Sequence, residues 1–65
     1  MINATLPESL FADILAGLKT CISHKRNARI DRYFLSKRPE KAKINGQIFT
    51  IARIEETPTD WVLHI

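Results

Sequence analysis

The sequence predicts an α+β fold in a single domain, residues 1–65: an N-terminal helix, a short strand, a second short helix and a C-terminal antiparallel hairpin. Three observations predict it. Apolar residues recur at helical spacing from Leu10 to Leu18 and again from Ile30 to Phe34. Period-two alternation takes over from Gln47 to the C-terminus. Turn signals at Asn45-Gly46 and at Thr57-Pro58-Thr59-Asp60 delimit the strands. A chain of 65 residues is near the size at which one hydrophobic core only just outweighs chain entropy. It also has too few strands to close a full barrel, so the sheet either stays open with a helix over one face or is completed by a second copy in a homodimer.

The first helix is expected to start at Thr5-Leu6-Pro7-Glu8, read as a capping box in which Thr5 and Glu8 satisfy each other's amides. Pro7 suits a first turn, and Leu10, Phe11, Ile14, Leu15 and Leu18 form one core-facing stripe. Gly17 can end the helix in a left-handed cap. Thr20 to Ser23 then reads as a strand, with Cys21 and Ile22 on opposite faces. Asn27 is a candidate cap for a second helix that puts Ile30, Tyr33 and Phe34 on one side and Arg29, Arg32 and Ser36 on an adjoining one. Arg38-Pro39 ends it, because the residue before proline is pushed from helical angles. The sequence assigns no element to residues 38–43 and leaves open whether they are ordered before binding. Gln47 to Glu55 reads as one central strand, Ile48, Ala52 and Ile54 facing one way and Phe49, Ile51 and Arg53 the other. Trp61, Leu63 and Ile65 alternate with Val62 and His64 in a last strand antiparallel to it.

Composition narrows the function classes. The single cysteine, Cys21, cannot form an internal disulfide, and with only His24 and His64 besides it there is no zinc-ligand set, so no metal or cofactor is expected. A reducing cytoplasm fits. The opening Met-Ile-Asn-Ala-Thr has no basic leader, so no signal peptide is expected. No apolar run approaches the roughly 20 residues that cross a bilayer. A basic amphipathic stretch can lie on an anionic membrane surface, but the core of so small a chain needs the same apolar residues.

Charge is the most informative feature. Between Lys25 and Lys43 stand eight basic side chains, Lys25, Arg26, Arg29, Arg32, Lys37, Arg38, Lys41 and Lys43, against two carboxylates, Asp31 and Glu40, a net +6. The whole chain carries +3, so the remainder is net acidic. Such a stripe repels itself until a polyanion relieves it. A run of charge is commonly a solvated face, yet here arginine forks suit phosphates, and Tyr33 and Phe34 can offer stacking faces to unpaired bases or else join the core.

Phe11 to Thr20, Phe-Ala-Asp-Ile-Leu-Ala-Gly-Leu-Lys-Thr, followed by Ser23-His24-Lys25-Arg26, resembles the opening motif of ASCH domains, members of the PUA-like superfamily. The resemblance covers residues 11–26, and Ile44 to Ile54 is similar only loosely. It implies a minimal or truncated PUA-like partial barrel, RNA-associated or modified-nucleoside chemistry, and Lys19 and Thr20 lining a ligand cleft. Some ASCH proteins are acetylcytidine amidohydrolases that use the motif lysine, a threonine three residues later and a glutamate from a later helix. This chain departs from that set. Ile22 stands at the threonine position, Ser23 is one place off and faces the other way on a strand, and no further helix follows before Ile65. Glu55 and Glu56 read as solvated carboxylates at a turn. Cys21, Ser23 and His24 lack any group to orient the histidine, Cys21 reads as a small buried hydrophobe and His64 as a surface or sheet-edge residue.

The sequence therefore points to a small basic module that binds nucleic acid, RNA ahead of DNA, through backbone phosphates with little sequence reading. Its expected contacts are Lys19, Thr20, Lys25, Arg26, Arg29, Arg32, Tyr33, Lys37 and Arg38. No catalytic residue is assigned. The alternative is an interaction or inhibitor protein, of the kind phages and mobile elements carry, that docks its basic surface on an acidic host protein.

Overall fold

The computed structural model describes residues 2–65; Met1, part of the opening segment read above, lies outside them. Its elements are β1 (Ile2–Ala4), α1 (Glu8–Leu15), β2 (Cys21–Lys25), α2 (Ala28–Lys37), β3 (Lys41–Ile44), β4 (Gln47–Thr50), β5 (Arg53–Glu56) and β6 (Asp60–His64). The class is α+β with a C-terminal antiparallel hairpin, as expected. The strands form two separate three-stranded sheets, ordered β1-β3-β4 and β2-β6-β5, and do not close into a barrel.

The Asn45-Gly46 turn organises the first sheet. Both residues have positive φ, 48° and 86°, the geometry of a two-residue turn whose twist matches its flanking strands. It joins β3 to β4 in the register Ile44↔Gln47. The Asn45 side chain then reaches β1's exit: its Oδ1 accepts from the Leu6 amide at 2.8 Å and its Nδ2 donates to the Leu6 carbonyl at 3.1 Å. This clamp corrects the expected capping box. With the Leu6 backbone tied to Asn45, helix α1 starts two residues later, on Pro7, with no side-chain cap, and Thr5 lies in the irregular segment before it.

Two further expectations change for geometric reasons. Helix α1 has only eight residues, so Phe11 and Ile14, one turn apart, are the pair that reaches the core, while Leu10, Leu15 and Leu18 remain exposed, Leu18 at 81%. Leu18 lies beyond the left-handed Gly17 (φ 77°), where its amide donates to the Asp13 carbonyl and that of Gly17 to the Ile14 carbonyl, the pattern of a Schellman cap. The expected strand 47–55 is two edge strands. The Ile51 amide bonds to the Glu40 carbonyl at 2.8 Å and the Ala52 amide to the His64 carbonyl at 2.6 Å, so the chain leaves one sheet and enters the other between these residues. The stretch to which the sequence assigned no element runs into β3, in which Lys41 and Lys43 point outward and Ala42 and Ile44 are fully buried.

The core lies between the inner faces of both sheets. Ile2, Ala42 and Ile44 come from one, Ile22, Trp61 and Leu63 from the other, and Ile14 and Phe34 from the helices. Phe34, 2% exposed, stacks on Trp61 with ring centroids 5.0 Å apart. Truncating it should cost about 3–5 kcal/mol, comparable to the roughly 3–5 kcal/mol that one small core supplies. Phe34→Ala is therefore expected to be largely unfolded at 25 °C by far-ultraviolet circular dichroism, while Leu18→Ala shifts stability by no more than about 0.5 kcal/mol.

Candidate nucleic-acid interface

Helix α2 sets the geometry of the basic segment. Asn27 caps it, its side-chain oxygen accepting from the Ile30 amide at 2.9 Å. Ile30, Tyr33 and Phe34 turn inward, which leaves Arg29, Arg32 and Ser36 on the exposed flank. The Ser36 hydroxyl donates to the Arg32 carbonyl at 2.6 Å, so it offers its proton inward. The helix ends at Arg38, held left-handed (φ 40°, ψ 73°), a conformation that costs a residue with a Cβ about 1–2 kcal/mol. Lys37, Arg38, Pro39, Glu40 and Lys41 line an open concavity of about 390 Å³ just past that end.

Arg26 does not join this surface. Its Nε and Nη2 meet the two oxygens of Asp31 at 3.0 and 3.2 Å, and its Nη1 meets Glu56 at 2.8 Å and the Thr57 carbonyl at 2.9 Å. The guanidinium also lies 5.2 Å from the Trp61 ring centroid. Bracing α2 against β6 and the β5–β6 turn leaves no free fork for a phosphate, so the expected Arg26 contact is withdrawn. Glu56 is likewise a partner of Arg26 rather than a freely solvated carboxylate.

The remaining expected residues divide by position. Lys37 and Arg38 share one concavity, Arg29 and Tyr33 line another, and Arg32 stands exposed on the flank between them. Lys25 points outward from β2 opposite Asp60. Lys19 and Thr20 lie at the other end of β2, about 20 Å along the strand at its usual rise from Arg26 and the first turn of α2. Thr20 is fixed there by its carbonyl, which accepts from the Ile65 amide at 2.9 Å. Phe34 is buried against Trp61 and cannot stack on a ligand, whereas Tyr33 is half-buried at the surface. Lys41 lines the same concavity as Lys37 and Arg38 although it is not among the contacts the sequence predicts. Its signal was the alternation Lys-Ala-Lys-Ile, masked by two charges in four residues. Among the described residues, only Arg26 and Arg53 of the ten basic side chains lie within 4.0 Å of a carboxylate.

The outer face of β2-β6-β5 has its own polar group. His64 Nε2 lies 3.0 Å from Glu55 and 3.3 Å from Arg53, and Cys21 is its register partner across the strands. His64 thus lies on the outer surface of the sheet, on its central strand rather than at an edge, beside the exposed Glu55 carboxylate, and Cys21 is half-buried rather than fully buried. No hydrogen bond joins Cys21 to His64, and among the described residues no group of three His, Cys, Asp or Glu side chains could hold a metal. On the inner face, His24 has a buried Nε2 without a protein partner, and burial lowers its pKa below the usual 6.5. Acidification below that value favours the unfolded chain, whose histidine protonates freely. Among the described residues, no helix is long and apolar enough to cross a membrane.

Comparison of the chain with protein-family models, curated proteins and solved structures finds no match.

Asp31 ties the site to pH. Its hydrogen bonds from Arg26 and then from the Trp61 indole, at 2.7 Å, hold its carboxyl below the ordinary value of 3.8. A lowered native pKa adds stability that is present above the unfolded value and lost as pH falls through the native one. Asp31→Asn is expected to be less stable than the parent at neutral pH. The gap should narrow as pH drops from about 5 to about 2, followed in urea melts by the fluorescence of Trp61, the single tryptophan.

Proposed function

We propose that this chain is a small nucleic-acid-binding module, RNA ahead of DNA, that holds backbone phosphates on the outer flank of α2 and the loop after it. The observation that carries this reading is the meeting of Lys37, Arg38 and Lys41 around one open concavity, with Arg29 and Arg32 exposed on α2 and, among the described residues, no carboxylate within 4.0 Å of any of the five. The end of a helix carries about half a negative charge. Three cations against that half charge and Glu40 leave the lip of the concavity positive. Phosphate is favoured there despite the helix end.

The likeness of residues 11–26 to the ASCH opening supports RNA as the first choice, and assigns Lys19 and Thr20 a contact separate from the α2 surface. It lends no support to amidohydrolysis, since Ile22 has no atom for the hydroxyl's part. A second reading, docking on an acidic protein, is favoured by the exposed Leu10, Leu15 and Leu18 of the first helix and its end, because a protein partner covers apolar surface and a phosphate backbone does not.

Fluorescence anisotropy against generic RNA and DNA over a salt series tests the choice. Affinity is expected to fall steeply with salt, and the variant Lys37→Ala/Arg38→Ala/Lys41→Ala should reduce the log–log slope by about two, at roughly 0.7 per phosphate contact on a single strand. Absence of binding at low salt would overturn the reading in favour of a protein partner. Arg38→Gly separates function from folding: relief of the left-handed conformation should leave thermal stability undiminished while affinity drops.

A further inference from the structure

We infer that the groove between β1 and α2, lined by Ile2, Asn3, Arg29, Ile30 and Tyr33, receives one unpaired base of a single-stranded nucleic acid; this rests on the phosphate-binding reading above and adds to it a preference for strand state. The groove measures about 310 Å³. That is at the lower end of the roughly 300–1,000 Å³ of small-molecule sites, enough for a base and part of its sugar but not for a base pair.

Its lining has the make-up such a ligand needs. Ile2, 8% exposed, and half-buried Ile30 give an apolar floor. Tyr33 gives an aromatic ring, held at a fixed angle by its edge-on contact with Phe34, 83° between planes and 5.6 Å between centroids. Arg29 gives a guanidinium that stands in no ion pair among the described residues, able to stack on a base or take its phosphate. Asn3 gives an amide that both donates and accepts, the pairing capacity of a base edge.

Asn3 contributes backbone as well. Ala4 turns its carbonyl toward β3, accepting from the Asn45 amide at 3.1 Å, and strand groups alternate in direction, so the N–H and C=O of Asn3 face the open edge of β1. Among the described residues, no strand pairs with that edge. A groove with an apolar floor, one ring, one cation and an unengaged amide fits a planar heterocycle beside an anion. It fits an acidic peptide poorly, because the ring and the apolar floor would then have nothing planar to cover. A duplex offers its bases only edge-on in a groove, and they cannot lie against Tyr33 without leaving the stack.

The test uses a single-stranded RNA of mixed sequence, the same RNA in duplex form, inorganic polyphosphate and poly-glutamate, each followed by anisotropy or competition, plus a 2-aminopurine-labelled single strand that reports stacking by its fluorescence. The parent chain is expected to bind the single strand more tightly than the duplex and to change the 2-aminopurine signal. Tyr33→Leu and, independently, the exposed-site variant Asn3→Ala should each weaken single-strand binding by about tenfold, with polyphosphate binding unchanged. Equal affinity for single strand and duplex, or an unchanged 2-aminopurine signal, overturns the groove assignment while salt-dependent binding of both leaves the phosphate reading intact. Failure to bind any nucleic acid or polyphosphate, or poly-glutamate competing as well as RNA, overturns both.

Discussion

The arrangement of the whole basic segment depends on the indole of Trp61. Its face stacks on Phe34, its N–H donates to Asp31, and the Arg26 guanidinium lies over its ring. One side chain on the central strand of the second sheet thereby fixes both the depth and the rotation of α2. Rotation matters most, because it determines which residues of α2 are turned to water. With Ile30, Tyr33 and Phe34 inward, the flank bearing Arg29 and Arg32 has no alternative direction.

That same junction accounts for the charge imbalance outside it. Asp31 is one of the two carboxylates within the basic stretch, and it is spent on Arg26, an inward-facing cation that Glu56 also neutralises. The outer cations are left facing Glu40 alone within their own stretch. In a chain with few residues to spare, a self-repelling surface is a stability penalty with no structural return. A function for it is the simplest physical account of why internal carboxylates are not placed to cancel it.

Much of this was legible in the sequence, and the failures have specific causes. The α+β class, the Asn45-Gly46 turn, the Gly17 cap, the Asn27 cap and the C-terminal hairpin follow from local chemistry that tertiary contacts do not override. Strands β1 and β3 were missed because each is only three or four residues long, and because lysine at alternate positions looks like a loop when its buried partners are one alanine and one isoleucine. The α1 stripe misled because a period of apolar residues gives a direction, not the length of helix that can reach the core. At the candidate site, the exposed flank of α2 was readable from spacing alone. That Arg26 is internal was not, since its partners Glu56 and Trp61 lie about thirty residues away in the chain. Asn3 could not have been found without β1.

The crossing between Ile51 and Ala52 gives the molecule a property beyond its static shape. Two successive amides are anchored to different sheets, one to Glu40 at the threshold of β3 and one to His64 at the end of β6. A tug on either layer is thus transmitted through a single peptide linkage to the other. What couples the layers energetically is the core on either side of that crossing, to which both sheets contribute, Ile2, Ala42 and Ile44 from one and Ile22, Trp61 and Leu63 from the other, so neither keeps its apolar face covered without its counterpart.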